Sequence, residues 1–349
     1  MAEEVERPVC NKVTVLTIGD PHFKVSNPRE TEEMHIKIME LVKNRKPDHI
    51  VILGDTLDRH ESIHVSPQTR AVKFIYDLAR NAPVTLLIGN HDLKNNQQFL
   101  SDEHPFYSLR ESKLPIQVVD TACKFKVGEF EFVAAPYVPN GRFREALSSL
   151  EDWSSVTAIF AHQEFAGSQM GAVVSVEGDV WSEHDPHVIS GHIHDYQELP
   201  GVTYVGTPIQ HNFDDSNEKT VSLWTWKSDS TSEHEKISLG CRRKKIVRLT
   251  AEEVTVYVAP DNTDLKIKVS GTSAQIATSL KHPNVKSLRA QGHKVVPGTT
   301  IIIDAVNQDS PKEKTVGQGF TQSLLSEVMI YQPQYPRLQY WFDQISLRK

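Results

Sequence analysis

Asp48-His49-Ile50-Val51-Ile52-Leu53-Gly54-Asp55-Thr56-Leu57-Asp58 places an unbroken apolar run directly before a glycine and two aspartates. A short run of this kind, rich in β-branched residues, reads as a strand buried on both faces. The same design recurs on either side. Lys12 to Ile18 is a β-rich run closed by Gly19-Asp20-Pro21-His22, and Val84-Thr85-Leu86-Leu87-Ile88 ends at Gly89-Asn90-His91-Asp92. Between these runs, Glu30 to Lys43 spaces Met34, Ile38, Leu41 and Val42 along one helical face, and about Gln68 to Arg80 does the same with Ala71, Phe74, Ile75 and Leu78. A βαβαβ series predicts an α/β fold whose parallel strands are joined by right-handed crossovers. Ligands of such sheets collect beyond the carboxyl ends of the strands, where all three polar motifs fall.

Further along, the strands shorten. Ile116 to Val119, Lys124 to Val127 and Phe130 to Ala134, broken by turns, predict an antiparallel section between Pro115 and Val138. Val156 to Ala161 leads into His162, Pro186 to Ser190 leads into Gly191-His192-Ile193-His194, and Val202 to Val205 precedes Gly206-Thr207-Pro208. Val221 to Trp226 alternates as a half-exposed strand, and the polar stretch Ser228 to Glu235 then predicts the end of the sheet. Beyond about Arg248 the texture becomes that of a small α+β unit: an alternating strand Leu265 to Val269, a helix from Ser270 to Leu280 and an apolar strand Thr299 to Val306. The expected organisation is a core over 1–240, a small unit over 241–325 and an extension over 326–349 that mixes prolines, aromatics and charges.

Composition narrows the class. At 349 residues, with 38% hydrophobic and 24% charged residues, the chain has enough material for one large core and a smaller one. No apolar run is long enough to span a bilayer, and the acidic stretch Met1 to Glu6 is unlike a signal peptide, so an intracellular protein with no membrane association is expected. Its three cysteines, Cys10, Cys123 and Cys241, have no metal-type spacing and point to free thiols in a reducing compartment. A net charge of −7 supplies no global field for a polyanion, which would have to be held by metal ions and local basic patches.

The motif residues define the chemistry. Aspartate is a hard anionic donor that can bridge two cations, and neutral imidazole and the asparagine carboxamide oxygen complete shells around manganese, iron or zinc. Two such ions can clamp a phosphodiester and lower the pKa of a water between them. A lone aspartate or histidine at a strand end is ordinarily a cap or a surface group; the ordered recurrence of the set is what carries the reading.

In that order, Asp20-Pro21-His22, Gly54-Asp55-Thr56-Leu57-Asp58, Gly89-Asn90-His91-Asp92, His162 and Gly191-His192-Ile193-His194 resemble the motifs of the calcineurin-like metallophosphoesterase superfamily over roughly residues 12 to 215. The resemblance implies a two-sheet core with helices outside and a small capping domain. It also implies two divalent ions, expected to be Mn2+ with Fe, Zn or Mg as alternatives. Asp20, His22, Asp55 and His194 would hold one, with Asp55 bridging, and Asn90, His162 and His192 would complete the other. His91 resembles the histidine that contacts the scissile phosphate and protonates the leaving oxygen, while Asp58 and Asp92 resemble groups that orient a ligand or His91. His35, His49, His104, His184, His187 and His211 lie outside the motifs and read as structural or solvated; His64 could face the cleft.

The flanking sequence, including Gly54-Asp55-Thr56-Leu57-Asp58-Arg59 and Tyr204-Val205-Gly206-Thr207-Pro208, is similar to the SbcD-type nucleases and phage recombination nucleases. That similarity implies an exonuclease on duplex ends and endonuclease on single strands or hairpins, with DNA and an SMC-like ATPase as partners, a possible homodimer and a possible viral or phage origin. Arg242, Arg243, Lys244, Lys245, Lys286 and Arg289 are the candidate DNA contacts, and Val328 to Phe342 is the candidate ATPase-binding segment. A phosphoesterase for a small nucleotide or phosphoprotein, and a non-enzymatic binding module, are the rival readings.

Overall fold

The computed structural model describes residues 12–216 and 218–300. The Met1–Glu6 stretch, Cys10, Asn217, the distal part of the Thr299–Val306 strand, the extension over 326–349 and the Val328–Phe342 segment lie outside the described residues. Among the described residues no helix is long and apolar enough to cross a membrane.

The first half runs β1 (Lys12–Ile18), α1 (Pro28–Arg45), β2 (His49–Ile52), α2 (Val65–Ala79), β3 (Val84–Leu87), β4 (Ile116–Val119), β5 (Cys123–Val127), β6 (Phe130–Ala135), α3 (Phe143–Leu147) and β7 (Ala158–Ala161). It continues with β8 (Gln169–Met170), β9 (Val173–Val174), β10 (Val188–Ser190), β11 (Gln197–Leu199), β12 (Val202–Tyr204), β13 (Thr220–Lys227) and β14 (Ser232–Ser238). The small unit adds β15 (Arg243–Thr250), β16 (Thr263–Gly271), α4 (Ser273–Ser279), α5 (Pro283–Ala290) and β17 (Lys294–Thr300).

Two six-stranded sheets form the core, in the orders β14-β13-β1-β2-β3-β4 and β11-β12-β10-β7-β6-β5. Strands β1 to β4 are parallel, as are β12, β10, β7 and β6; the antiparallel members lie toward the margins. Alternate residues of a strand face opposite sides, and β1 shows both sides buried. Val13 and Val15 point to the layer between the sheets, with Val51, Leu53, Leu87, Phe132, Phe160, Ile189, Trp224 and Trp226. Leu16 and Ile18 point to the outer layer, where Met34 and Ile38 of α1 and Phe74, Ile75 and Leu78 of α2 cover the first sheet. The outer face of the second sheet is covered by Phe143, Ala146 and Leu147 of α3. The result is a mixed α/β sandwich, helices outside and two sheets within.

Three expectations need correction. The 115–138 section is not a single antiparallel meander: β4 joins the first sheet parallel to β3, whereas β5 and β6 form an antiparallel hairpin in the second. Strand β13 is buried along nearly its whole length, because it lies inside the first sheet between β14 and β1, with Trp224 and Trp226 facing the other sheet. The first sheet does not stop at the polar stretch after Lys227, which turns into the exposed edge strand β14.

In the small unit β15, β16 and β17 form a separate parallel sheet, and Leu265, Ile267, Val269, Ile276, Val285, Leu288 and Val295 make its core. Strand β15 and helix α5 were not read from the sequence. The thiols of Cys123 and Cys241 are free, and burial pushes each up to about 11, as befits inert side chains.

Phe160 of β7 packs in the inter-sheet layer against Phe132, Phe125 and Trp226, at ring separations of 5.5, 5.9 and 6.3 Å. A Phe160→Ala protein should lose about 3–5 kcal/mol of stability. Urea denaturation should show a lower midpoint at an unchanged slope.

Candidate metal centre

The carboxyl ends of β1, β2, β3, β7 and β10 bring Asp20, Asp55, Asn90, His162 and His192 to one end of the sandwich, where the two sheets meet. A backbone hydrogen bond ties the two sheets there: Tyr137 N, past β6, donates to Ile88 O, past β3, at 2.9 Å, while Leu53 N to Ile18 O at 2.9 Å extends the β1–β2 pairing to the site. Close approach requires glycine. A Cβ on Gly89 would stand 2.2 Å from Asp55 N and Oδ1, and one on Gly54, whose φ is +98°, would stand 2.5 Å from His162 Nδ1. Asp20, His22, Asp55 and His192 take positive φ values of 37°, 44°, 43° and 78°, a region few residues other than glycine adopt. Strain of this sort persists only where the surroundings enforce it, and it concentrates at functional sites.

The side chains form two groups that share one carboxylate: Asp20, His22 and Asp55, and Asp55, His162 and His192. Asp55 presents Oδ2 to His22 Nε2 at 3.8 Å and Oδ1 to His162 Nε2 at 3.4 Å, one oxygen to each group. In the first group His22 Nε2 and His194 Nε2 face each other at 3.1 Å. In the second, Asn90 Oδ1 lies 3.1 Å from His162 Nε2 and 3.0 Å from His192 Nδ1. Adjacent ligands bound at about 2.1 Å around a common ion stand about 3 Å apart, so these separations suit donors converging on a cation. The donor set fits divalent metals: hard carboxylate oxygens, a carboxamide oxygen and imidazoles.

Several of the ligand-type groups are oriented from behind. His162 Nδ1 donates to Leu53 O at 2.6 Å, which fixes the ring so that Nε2 faces Asp55 and Asn90. Asn90 Nδ2 donates to Asn96 Oδ1 at 3.3 Å, which turns its oxygen inward. His192 N donates to Asp20 Oδ1 at 2.9 Å, and His91 N donates to Asp55 Oδ1 at 2.8 Å. Lys219, nearly buried, donates from Nζ to His194 O at 2.6 Å and pairs with Asp195.

The electrostatics are those of a buried like-charge cluster. Burial pushes Asp20 up to about 8 against the pull of His162, and burial together with the Asp55 charge pushes Asp92 up to about 7. Burial opposes the Asp55 charge as well, but His162, His22 and His91 outweigh it and hold that carboxyl far below its usual range. Burial also disfavours a charged His162, yet Asp55 and Asp20 raise it to about 9. Burial keeps His22, His192 and His194 below the ordinary imidazole value and therefore neutral, the form that binds metal.

The remaining expected residues are placed as follows. His91 is the accessible member, its side chain 36% exposed beside an Asp55 that is 3% exposed. Its Nδ1 lies 3.1 Å from Asp58 O, and its Nε2 lies 4.0 Å from Asp55 Oδ2. The Asp58 carboxylate faces His22 Nδ1 at 3.6 Å and Lys24 Nζ at 3.2 Å. Asp92 accepts backbone N–H bonds from Leu57 at 2.8 Å, Gly89 at 3.1 Å and Thr56 at 3.2 Å, and so ties the β2 and β3 loops together. His64 precedes α2 and lines a cavity near Asp58, Phe23 and Ile63.

Of the candidate DNA contacts, Arg242 pairs with Asp264, Lys244 pairs with Glu30, and Arg289 donates to Val295 O. Arg243, Lys245 and Lys286 are exposed.

Several neighbours were not read from the sequence. His211, taken there as structural or solvated, is buried at the site: Nε2 donates to Asp20 O at 2.9 Å, and its ring meets that of His22 edge-on at 4.9 Å. His60 stacks on His91 at 4.9 Å, Tyr137 stacks on His192 at 5.9 Å, and Glu164 approaches His192 from outside. The signal for Glu164 was its position just past the end of β7, two residues beyond His162; His211, well beyond the end of β12, carried none.

The fold and donor set define a metal-dependent phosphoester hydrolase. The sequence profile of the calcineurin-like phosphoesterase family matches residues 13–217, and the chain belongs to that family. It is similar to 078R of Invertebrate iridescent virus 3, a phosphoesterase by designation only, with 35% identity over 90% of this chain and 96% of that protein. It is also similar to 244L of Invertebrate iridescent virus 6, likewise a phosphoesterase by designation only, with 36% identity over 73% of this chain and 92% of that protein.

The charge cluster has a consequence for stability. Between pH 6.5 and 9 a chelator-treated folded chain retains protons on Asp20, Asp92 and His162 that the unfolded chain has released, so folding stability falls as pH rises through that window. Thermal melting with EDTA should show the decline, and saturating Mn2+ should raise the melting temperature most at its alkaline end, because the cations take over the role of the protons.

Proposed function

We propose that the protein is a two-metal phosphodiesterase acting on DNA, of the SbcD type. In this reading one divalent ion is held by Asp20, His22, Asp55 and His194 and the other by Asp55, Asn90, His162 and His192. The observation that carries it is the shared Asp55 carboxylate, with one oxygen toward each group. The bound ions would supply Lewis-acid polarisation of the phosphoryl oxygens and a lower pKa for water. The protein's own contribution lies in position and proton transfer. With Nδ1 bonded to the Asp58 carbonyl, a charged His91 has its Nε2 proton free to pass to the departing oxygen. Its exposure allows contact with a macromolecular phosphate that Asp55 cannot reach.

A cleft of about 450 Å3 favours a polyanion. Lys24, Arg29, Arg242, Lys244 and Lys294 line it against Glu30 and Asp264, and His211 connects it to Asp20. Such a local field can hold phosphates despite the net negative charge of the chain. The part of the small unit at this cleft would act as the cap expected over 241–325. Partnership with an SMC-like ATPase, a homodimeric state and an intracellular location belong to the same proposal and rest on the resemblance of the motifs.

One feature favours a second reading, a small-nucleotide phosphoesterase. A cavity of about 300 Å3, lined by Phe23, Leu57, Ile63 and Pro67 with Lys24 and Arg59, adjoins Asp58 and has the size and character to take a base.

Manganese-loaded protein assayed on hairpin DNA, cyclic nucleotides and phosphopeptides separates the readings: cleavage of hairpin DNA is expected, and activity confined to a cyclic nucleotide or a phosphopeptide overturns the nuclease assignment. Asp55→Ala should abolish hydrolysis of every substrate. His91→Asn should keep two bound ions by elemental analysis while turnover on DNA falls about 10²–10⁴-fold.

A further inference from the structure

Beyond the ligands themselves, Glu164 stands two residues past His162, on the loop leaving β7, and its carboxylate turns back toward the site. Oε2 lies 3.9 Å from His192 Nε2 and accepts from Asn140 Nδ2 at 3.3 Å. Oε1 accepts from Ser175 Oγ, which itself receives the Gly178 N–H at 3.1 Å. The segment that carries Ser175 folds back on the same loop, through Asp179 N to Glu164 O at 2.9 Å and Ala166 N to Asp179 O at 3.0 Å. This clamp leaves the Glu164 side chain only 15% exposed.

The His192 ring thus lies between two environments. Nδ1 faces Asn90 Oδ1 at 3.0 Å and His162 Nε2 at 3.3 Å, inside the donor group, while Nε2 faces Glu164 on the far side. Tyr137 stacks on the ring and limits its tilt. A carboxylate behind an imidazole favours the proton on the nitrogen it faces, which frees the other nitrogen's lone pair and makes it a better donor. Across 3.9 Å the influence is that of a charge rather than a closed hydrogen bond. Glu164 is on the wrong side of the ring to join the donor group directly.

We propose that Glu164 is a positioning residue for His192: it holds the imidazole proton on Nε2 and so directs Nδ1 at the cation shared with Asp55, Asn90 and His162. The proposal rests on the reading that this group binds a metal ion. Ser175 and Asn140 would fix the carboxylate, linking the segment after β9 to one of the two ions and leaving the ion at Asp20 and His22 untouched.

Titration calorimetry of the full metal-free chain with Mn2+ tests it. The wild-type chain should take up two ions. Glu164→Ala should weaken one site by about 10–100-fold and leave the other unchanged. Glu164→Gln, which keeps an acceptor but loses the charge, should show a smaller loss at the same site, and it carries the test if the alanine protein does not fold. Wild-type affinity at both sites in the variants, or equal weakening of both, overturns the role of Glu164. A wild-type chain that binds no Mn2+ overturns the metal reading instead, a result distinct from either.

Discussion

Everything at the site follows from burying Asp20, Asp55 and Asp92 in a pocket nearly closed to water. Carboxylates in such a place repel one another and lack hydration, and the penalty for leaving a charge unpaired is severe. The chain answers with oriented partners: backbone N–H groups from His91, His192, Leu57 and Gly89, and the ring of His162. Bonds from neutral donors to a charged acceptor are each worth on the order of 1.5–3 kcal/mol, and they assemble the loops at the strand ends into one rigid mouth. What these bonds leave uncompensated is met in the metal-free chain by protons held on Asp20, Asp92 and His162, and divalent cations would supply that positive charge in their place.

The same constraint explains the backbone. For its side chain to turn into the pocket directly after a strand, the residue must leave extended geometry at once, and Asp20, His22, Asp55 and His192 do so in the left-handed region. A side chain on Gly54 would strike His162, and one on Gly89 would strike Asp55. Sheet, turn and ligand therefore form a single solution, and the hydrogen bond from His162 to Leu53 O fastens the second sheet to the first at its most charged point.

The sequence disclosed the parts of this design that are local. Apolar runs ending in Gly-Asp or Gly-Asn display both the strand and its polar terminus, so β1, β2, β3 and the motif residues after them could be read without a structure. Tertiary choices were not visible. Nothing in Ile116–Val119 says that it pairs with β3 rather than with the hairpin that follows it. Strand β13 alternates in sequence, yet Trp224 and Trp226 are large enough to fill the layer between the sheets while Val221 and Leu223 fill the helix layer. His211 and Glu164 escaped because an isolated polar residue has no periodicity; their roles arise from the loops that bring them against Asp20 and His192.

The outer ring of residues is divided between the two donor groups. Around His22 the supports are His211 and the Asp58 carboxylate, and Asp58 also holds His91 through its backbone carbonyl, so that half of the site is wired to the accessible histidine and to the basic cleft. Around His192 the supports are Tyr137 and Glu164, anchored by Asn140 and by the segment after the β8–β9 hairpin, whose Val173, Val174 and Val176 face solvent. Asp55 is the carboxylate common to both halves. Its two oxygens face opposite groups, so each half keeps its own supports and the shared carboxylate alone joins them.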